Sequence, residues 1–317
     1  MTRKLTGLII FLFGVIFAAP SSAVTCNVTL TPSLDFGSVD PFQGGTVSTI
    51  GTLDWSCSRA LFEPPRSTLC VFAGPDAGNN SNPREMTSNG QAVPFNVYDA
   101  PSHTTPVLPD SNGIAVLVDI PWCLFNCGPR TDSGSVPLYG QIPFISPAVA
   151  PGTYSATLTS QIYLVEGNAN FDCNNASGAP QDTYALNAQV EIEKQCQLTA
   201  NNLDFGTRST PLPQTNADTF IDVRCTNTTP FTVGLSNGNH YTPGTRRMSD
   251  GNGNYVSYGL FQDATRITEW DATNNRRSDT GLGGGSSIMM TVFGQLPPQP
   301  SAVDGSYTDT VTVDIEF

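Results

Sequence analysis

The sequence predicts an all-β protein made of two immunoglobulin-like β-sandwich domains, of which the C-terminal one lacks its final strand. The 317 residues include 29 Gly and 25 Pro, a content that suits short strands joined by turns and disfavours helical bundles. Runs of alternating apolar and polar residues, typical of strands with one buried face, lie between clusters of turn residues. Similar segments recur in the two halves of the chain, which indicates a duplicated domain.

Residues 1–23 have the features of a secretory signal peptide. Arg3 and Lys4 precede an apolar run from Leu8 to Ala19, and Ser21-Ser22-Ala23 supplies the small residues of a cleavage site. The apolar run is shorter than the about 20 residues that span a membrane. We therefore expect cleavage after Ala23 and export of the rest of the chain.

The duplication is clearest in two segments that follow a cysteine. Cys26 precedes Leu34-Asp35-Phe36-Gly37, and Cys196 precedes Leu203-Asp204-Phe205-Gly206. Later segments correspond as well: Arg84-Glu85-Met86 to Arg247-Met248, Tyr139-Gly140-Gln141-Ile142-Pro143 to Phe293-Gly294-Gln295-Leu296-Pro297, and Gly152-Thr153-Tyr154 to Gly305-Ser306-Tyr307. We therefore expect an N-terminal domain over residues 24–193 and a C-terminal domain over residues 194–317.

All the cysteines follow the signal segment: Cys26, Cys57, Cys70, Cys123, Cys127, Cys173, Cys196 and Cys225. An even number in an exported chain indicates disulfides, because the compartment is oxidising. The duplication predicts a Cys26–Cys57 bridge and a matching Cys196–Cys225 bridge, each worth roughly 3–4 kcal/mol in the chain-entropy model. The other four allow Cys70–Cys173 with Cys123–Cys127, or Cys70–Cys123 with Cys127–Cys173. A zinc site at Cys123 and Cys127 is disfavoured, since no paired Cys or His motif accompanies it.

The composition argues against several kinds of function. With 14 Lys and Arg against 27 Asp and Glu, the chain offers no broad basic field for nucleic acid. Its two histidines, His103 and His240, lie near no Ser or Cys motif typical of a catalytic triad. The glycine-rich segment 281–286 lacks the Lys of a phosphate-binding loop. We expect no enzymatic activity, no cofactor and no metal.

The two copies differ at their ends. In the first, a strand beginning at Tyr154 is followed by another alternating run, residues 184–193. In the second, the matching strand from Tyr307 to Phe317 has no such successor, and its Asp309 and Asp314 are expected to face solvent. We therefore expect a groove of core residues and unpaired backbone groups there, filled by a strand of another chain as in β-augmentation. The alternative is that a short terminal strand or another edge closes the sheet.

The second copy also carries a family resemblance. Its motifs are Cys196, Leu203-Asp204-Phe205-Gly206, Cys225, Val233-Gly234-Leu235-Ser236-Asn237-Gly238, Arg246-Arg247-Met248, Tyr258-Gly259-Leu260-Phe261, Trp270, Val292-Phe293-Gly294 and Gly305-Ser306-Tyr307-Thr308-Asp309. With them the chain resembles the spore coat protein U domain family, which includes the pilins of Csu-type, archaic chaperone–usher pili. The resemblance is specific over residues 194–317 and looser over 24–193. It implies structural roles for Arg246, Arg247 and Trp270.

In this chain the first cysteine lies almost directly after the signal segment. A two-domain member of the family with this feature resembles the tip adhesin of these pili. Other pilins of the family carry an N-terminal donor extension, whereas here only Val24 and Thr25 lie between the signal segment and Cys26. The resemblance implies a subunit at the pilus tip on the cell surface, which receives a strand and donates none. Its implied partners are a periplasmic pilus chaperone, an outer-membrane usher, an adjacent pilin subunit that donates a strand to the C-terminal domain, and an abiotic or host surface. The alternative function is a non-adhesive, secreted structural subunit of a coat or fibre.

The resemblance further implies hydrophobic finger loops at the far end of the N-terminal domain. Three insertions without counterparts in the second copy suit this role: residues 59–65, 120–127 and 165–173. Their large apolar side chains are expected to contact the surface: Leu61, Phe62, Trp122, Leu124, Phe125 and Phe171. Exposed aromatic side chains in loops often mark a binding surface. The alternative is that these side chains pack inward and the bridges only brace long loops.

Overall fold

The computed structural model describes residues 24–59, 65–121, 130–166, 173–174, 176, 178–283 and 285–317. These residues form strands, turns and irregular segments without any helix, so the described part of the chain holds no helix that could cross a membrane. The predicted all-β class is confirmed. The signal segment 1–23, Cys123, Cys127 and all six predicted finger residues lie outside the described residues.

The described part of the N-terminal domain forms a 10-stranded sheet. Its strands are β1 (Thr25–Leu30), β2 (Ser33–Val39), β3 (Val47–Ser58), β4 (Arg66–Phe72), β5 (Arg84–Ser88), β6 (Gln91–Tyr98), β7 (Ile114–Asp119), β8 (Thr131–Ile142), β9 (Gly152–Glu166) and β10 (Asp182–Ile192). The hydrogen-bonded order is β1-β3-β8-β6-β5-β9-β10-β2, and β4 joins β7 to β9. The sheet curls on itself, since side chains from β2, β3, β8 and β10 share one core.

Strand β10 completes this first core. It pairs antiparallel with β9 over its whole length, from Asp182 opposite Ile162 to Ile192 opposite Gly152. On its other side it pairs in parallel with β2. Every second side chain of β10 is buried, as a strand with one face on a core requires: Tyr184, Leu186, Ala188, Val190 and Ile192.

The described part of the C-terminal domain forms two smaller sheets, one of 5 strands and one of 3. Its strands are β11 (Cys196–Ala200), β12 (Thr215–Cys225), β13 (Pro230–Leu235), β14 (Arg246–Ser249), β15 (Tyr255–Phe261), β16 (Arg277–Thr280), β17 (Ile288–Leu296) and β18 (Val313–Glu316). The first sheet has the order β11-β12-β17-β15-β14 and the second β16-β13-β18. Their inner faces enclose a separate core centred on the fully buried Trp270.

Two buried arginines show that the copies correspond in three dimensions. Arg84 donates to the carbonyl oxygens of Ala73, Gly74 and Val107 at distances of 2.7 to 2.8 Å. Arg246 donates in the same way to the carbonyl oxygens of Leu235, Ser236 and Trp270. The counterpart of Arg84 is therefore Arg246. The match of Arg84 to Arg247, which the repeated segments suggested, is wrong. Arg246 and Trp270 have the structural roles that the resemblance implied.

Three disulfides lie among the described residues. Cys26 is bonded to Cys57 and Cys196 to Cys225, as the duplication predicted. Each of these bridges joins directly opposite residues of neighbouring antiparallel strands. Cys70 is bonded to Cys173, which excludes the alternative of Cys70–Cys123 with Cys127–Cys173. The other half of the remaining alternative, Cys123–Cys127, lies outside the described residues.

The predicted strand from Tyr307 to Phe317 is mostly wrong. Only Val313–Glu316 forms a strand, β18, and Thr308 makes an isolated bridge to Ser249. The corresponding segment of the N-terminal domain is the continuous strand β9, which lies between β10 and its other neighbours. The physical reason for the difference is that, among the described residues, no strand covers the free side of the second segment.

Candidate functional site

The C-terminal domain has an open groove at the position that β10 fills in the N-terminal domain. Its first wall is residues 203–206, the counterpart of residues 34–37 in β2. Its second wall is residues 305–316, the counterpart of most of β9. Within the described ranges, neither wall has a strand partner on the side that faces the other wall.

A repeated turn fixes the correspondence along the first wall. The Gly37 N–H donates to the Asp35 carboxylate at 2.9 Å, and the Gly206 N–H donates to the Asp204 carboxylate at 2.7 Å. The φ angles of the two glycines are 71° and 69°, in the left-handed region that glycine adopts without steric cost. The backbone of this wall therefore makes the same local turn in both domains.

A repeated tyrosine contact fixes the correspondence along the second wall. The Tyr154 hydroxyl donates to the Ala150 carbonyl at 2.9 Å, and the Tyr307 hydroxyl donates to the Val303 carbonyl at 2.8 Å. A tyrosine whose hydroxyl bonds to the backbone a few residues upstream recurs in immunoglobulin-like sandwiches. Residue 307 thus corresponds to residue 154, and the rest of the wall follows in step.

The groove side of the second wall presents unpaired backbone groups. In the N-terminal domain, β9 residues 154–158 pair continuously with β10. The N–H and C=O groups of Tyr307, Asp309 and Val311 have no hydrogen-bond partner among the described residues. An unpaired strand edge of this kind is a template for another strand.

The floor of the groove is built from core side chains of both sheets. Two adjoining cavities of about 600 and 690 Å³ lie along it. Side chains that line one or both of them include Met248, Val256, Leu260, Val292 and Leu296. Because these cavities are open, apolar surface that the fold has assembled stays in contact with water, at an unfavourable free energy.

The side chains of the second wall are less buried than their counterparts in the N-terminal domain. Tyr154 is 2% exposed and Leu158 is fully buried in the N-terminal domain, where β10 covers them. Their counterparts Tyr307 and Val311 are only partly buried. Apolar and aromatic side chains at corresponding positions therefore lack the burial that one additional strand provides.

One polar contact lies within the groove. The Tyr258 hydroxyl donates to the Asp309 carboxylate at 2.6 Å, and the other oxygen of that carboxylate accepts the Asn239 N–H at 2.9 Å. Burial, and next the hydrogen bond to Asp309, raise the pKa of Tyr258 well above its ordinary value, so the phenol stays protonated and donates. The expectation that Asp309 faces solvent is therefore wrong.

Two further features hold the second wall against the sheet on the side away from the groove. The Ser236 N–H donates to the Thr312 carbonyl at 2.9 Å, and the Thr312 N–H donates to the Ser236 hydroxyl at 2.8 Å. Asp314, also expected in solvent, is partly buried and accepts a hydrogen bond from Arg276 at 2.6 Å. The wall is thus fixed in place while its other edge stays free.

This arrangement suits the binding of an extended peptide. An added strand would pair with the backbone edge of residues 307–311 and lie beside residues 203–206. Its alternate side chains would enter the two cavities, in the manner of β-augmentation. Each large aliphatic or aromatic side chain that becomes fully buried contributes roughly 1.5–3 kcal/mol.

The three predicted finger insertions begin and end at one end of the N-terminal domain. Arg66 at the start of β4 pairs with Asp119 at the end of β7, and the neighbouring pair is Ser67 with Glu166 of β9. The first insertion follows β3, whose last residue, Ser58, pairs with Thr131 of β8. The strand ends that flank all three loops are therefore neighbours.

A buried arginine and a disulfide fasten these loop bases. Arg59 is 8% exposed, its N–H donates to the Arg130 carbonyl, and its guanidinium donates to the Pro121 carbonyl, both at 3.0 Å. The Cys70–Cys173 bridge ties the third insertion to β4. It lies in a small apolar cluster of its own that includes Phe72, whose ring meets that of Tyr163 edge-on.

The loop bases lie far from the junction between the two domains. The strand β9 has 15 residues, and at about 3.3 Å per residue it spans roughly 45 Å. Its end at Glu166 lies beside the loop bases, whereas its start at Gly152 pairs with Ile192, the last residue of β10, just before the C-terminal domain begins. The strand ends that flank the insertions therefore lie at the end of the N-terminal domain opposite the junction.

The sequence predicted the groove but missed the polar contact within it. Tyr307, Asp309 and Val311 alternate with threonines, so a period of two residues already places Asp309 on the face of its apolar neighbours. Tyr258 is the counterpart of Phe95, since each pairs with the buried arginine of its domain. The sequence signal for this contact was a pair of polar replacements in the second copy: Tyr258 at the position of Phe95, and Asp309 at the position of Ala156.

Comparisons with known proteins agree with this architecture. The family model described as Spore Coat Protein U domain matches residues 12–161 and 182–314. "Protein U" of Myxococcus xanthus is 30% identical over 156 residues, covering 43% of this chain and 84% of that protein. A solved structure from Acinetobacter baumannii, the CsuC-CsuE chaperone-tip adhesion subunit pre-assembly complex of archaic chaperone-usher Csu pili, matches with a TM-score of 0.52 and 20% identity. That alignment covers 92% of this chain and 100% of the matched chain, and it shows a shared fold.

Proposed function

Because this chain belongs to the Spore Coat Protein U domain family, we propose that it is the tip adhesin subunit of an archaic chaperone–usher pilus. Its C-terminal domain accepts a strand from a partner, first a periplasmic chaperone and then, at the outer-membrane usher, an adjacent pilin subunit. Its N-terminal domain attaches the cell to an abiotic or host surface. The observation that carries the proposal is the open groove between residues 203–206 and 305–316.

The difference between the two domains supports strand acceptance by the second one. The first domain fills the corresponding position with its own β10 and buries five side chains there. The second exposes the same two walls, with unpaired backbone on one and partly buried apolar side chains on both. A donated strand satisfies both deficits at once, which makes the assembled subunit more stable than the isolated one.

The position of the finger loops supports the adhesive role. Their bases lie at the end of the N-terminal domain opposite the junction with the domain that joins the fibre. We propose that Leu61, Phe62, Trp122, Leu124, Phe125 and Phe171 contact the surface. About 400 Å² of apolar contact gives roughly 10 kcal/mol gross at 25 cal/mol/Å², much of it offset by the entropy of association. A single tip then binds modestly, and many fibres attach a cell firmly.

The N-terminal segment supports a route to the cell surface. We propose that residues 1–23 direct export and are removed. The disulfides among the described residues suit an oxidising periplasm.

Replacing Trp122, Leu124 and Phe125 together with serine tests the adhesive role. Adhesion of cells to plastic should fall at least about tenfold, because the apolar contact area is lost, while pilus assembly persists. The matched control is Ile267→Ser, which removes an 80% exposed apolar side chain from the C-terminal domain. Normal adhesion by the triple variant would leave the alternative, a non-adhesive coat or fibre subunit.

A further inference from the structure

Asp309 places a carboxylate in the groove at a position where the N-terminal domain has a methyl group. Its counterpart there is Ala156, two residues after Tyr154, just as Asp309 lies two residues after Tyr307. The neighbouring aromatic side chain differs as well, since Tyr258 replaces Phe95. The groove is therefore not a plain copy of the apolar site that β10 occupies.

The residue of β10 that faces Ala156 is itself small. Ala188 lies directly opposite Ala156 in the antiparallel ladder and is 2% exposed. Directly opposite residues of an antiparallel pair have their side chains on the same face, about 4.5–5.5 Å apart at Cβ. Any strand that binds the groove in the same register thus places one side chain against the Asp309 carboxylate.

Resting on the strand-accepting function proposed above, we propose that Asp309 sets the register of the incoming strand by admitting only a short side chain opposite itself. Large apolar side chains then lie two positions away on either side. In β10 these are Val190, opposite the counterpart of Tyr307, and Leu186, opposite the counterpart of Val311. The occupant is a strand of another chain with the pattern large, short, large at alternate positions.

The chemistry of a covered carboxylate explains the discrimination. A carboxylate offers about four acceptor sites, and Asp309 uses one on Tyr258 and one on Asn239. A long apolar side chain over the remaining sites would remove water and supply no hydrogen bond, which is costly for a charged group. A methyl or hydroxymethyl group leaves room for water, and a serine hydroxyl can itself donate.

The carboxylate cannot easily move away from an oversized side chain. Gly238 lies so close to it that a Cβ atom added there would meet Asp309 Oδ2, and Gly238 has a φ of 80°. On the other side the Tyr258 hydroxyl holds the same oxygen. Asp309 is thus held between the 236–239 loop and β15, and the space opposite it is fixed.

Synthetic peptides with the sequence of residues 182–193 test the proposal on the unmodified full chain. The parent peptide and its Ala188→Ser variant should bind the groove with similar affinity. The Ala188→Leu variant should bind at least about tenfold more weakly, because the leucine covers the remaining acceptor sites of the carboxylate and supplies no hydrogen bond. Asn187→Leu is the matched control, since residue 187 points away from the core and the added side chain should not weaken binding.

The outcomes separate this inference from the function on which it rests. If no peptide binds, strand acceptance by the groove is overturned, and the register rule with it. If the parent and Ala188→Leu peptides bind equally well, only the register rule is overturned. In the chain variant Asp309→Ala, which restores the residue of the N-terminal domain, the penalty for Ala188→Leu should shrink, and an unchanged penalty would also contradict the proposal.

Discussion

Tyr154 and Tyr307 make the same hydrogen bond in the two domains, yet only Tyr154 is covered by a following strand. Each hydroxyl donates to the carbonyl four residues earlier. Tyr154 is 2% exposed beneath β10, whereas Tyr307 lines an open cavity. One fold thus occurs twice in the chain, once complete and once lacking a neighbour for this wall.

Supplying the missing strand in cis should stabilise the C-terminal domain. We consider a chain extended after Phe317 by a short Gly-Ser linker and a second copy of residues 182–193. The copy should enter the groove, bury the apolar floor and raise the melting temperature of that domain by at least about 10 °C, as measured by calorimetry. It should also compete with added donor peptides.

The matched control for this extension carries the same linker and a copy with Leu186→Asn and Val190→Asn. These changes remove the two side chains expected to fill the cavities, so the melting temperature should stay near that of the parent chain. Equal stabilisation by both extensions would contradict specific filling of the groove.

Removing the guanidinium of Arg246 should destabilise the C-terminal domain strongly. Arg246→Ala leaves the buried carbonyl groups of Leu235, Ser236 and Trp270 without their donor. At about 1–3 kcal/mol for each unsatisfied buried group, the free energy of unfolding should fall by at least about 3 kcal/mol. Chemical denaturation of the variant measures this loss. Arg246→Lys should not restore it, because an ammonium lacks the planar fork that reaches several acceptors.

The neighbouring residue provides the control for this prediction. Arg247 is only partly buried and lies over the Tyr255 ring at 4.1 Å, a contact worth about 0.5–1 kcal/mol at an exposed site. Arg247→Ala should therefore cost less than Arg246→Ala. A larger loss at Arg247 would contradict the assignment of Arg246 as the counterpart of Arg84.

The sequence predicted the fold class, the duplication and the incomplete second sandwich, because these depend on local patterns. The alternation of apolar and polar residues predicted strand β10. The absence of a matching run in the second copy predicted the groove. The strand predicted over residues 307–317 was mostly wrong, because a strand is defined by its partner and pairing is not local. The expected solvent exposure of Asp309 is wrong because this residue lies on the same face as Tyr307 and Val311 and accepts a hydrogen bond from Tyr258, a contact between distant parts of the chain. The choice between the two cysteine pairings needed the tertiary structure, which places Cys70 beside Cys173.

The Cys70–Cys173 bridge should stabilise the base of the finger loops without affecting the groove. Its sequence separation of 103 residues makes the loop it closes long, and removing a native disulfide costs roughly 2–5 kcal/mol. The double variant Cys70→Ser, Cys173→Ser should lower the melting temperature of the N-terminal domain. Because the loop bases become more mobile, adhesion to plastic should also fall.

Binding of the residue 182–193 peptide reports on the C-terminal domain of this double variant. It should equal that of the parent chain, since the bridge lies in a small apolar cluster of the N-terminal domain, apart from the groove. Loss of peptide binding would contradict independent roles for the two regions.

The loop that follows β15 should make stability depend on acidity. The Asp263 carboxylate accepts hydrogen bonds from the Thr265 hydroxyl and from the Thr268 N–H, and these lower its pKa from 3.8 to about 2. Since the folded pKa is the lower one, this carboxylate stabilises the protein above about pH 4, and the contribution is lost as the pH falls towards 2. Asp263→Ala should therefore be less stable than the parent chain at pH 6, with the difference between their melting temperatures narrowing from pH 4 to pH 2. A difference that stays constant over this range would show that the contribution does not come from the ionised carboxylate. The control is Asp279→Ala, a substitution of an exposed aspartate on β16, which should not reproduce this narrowing.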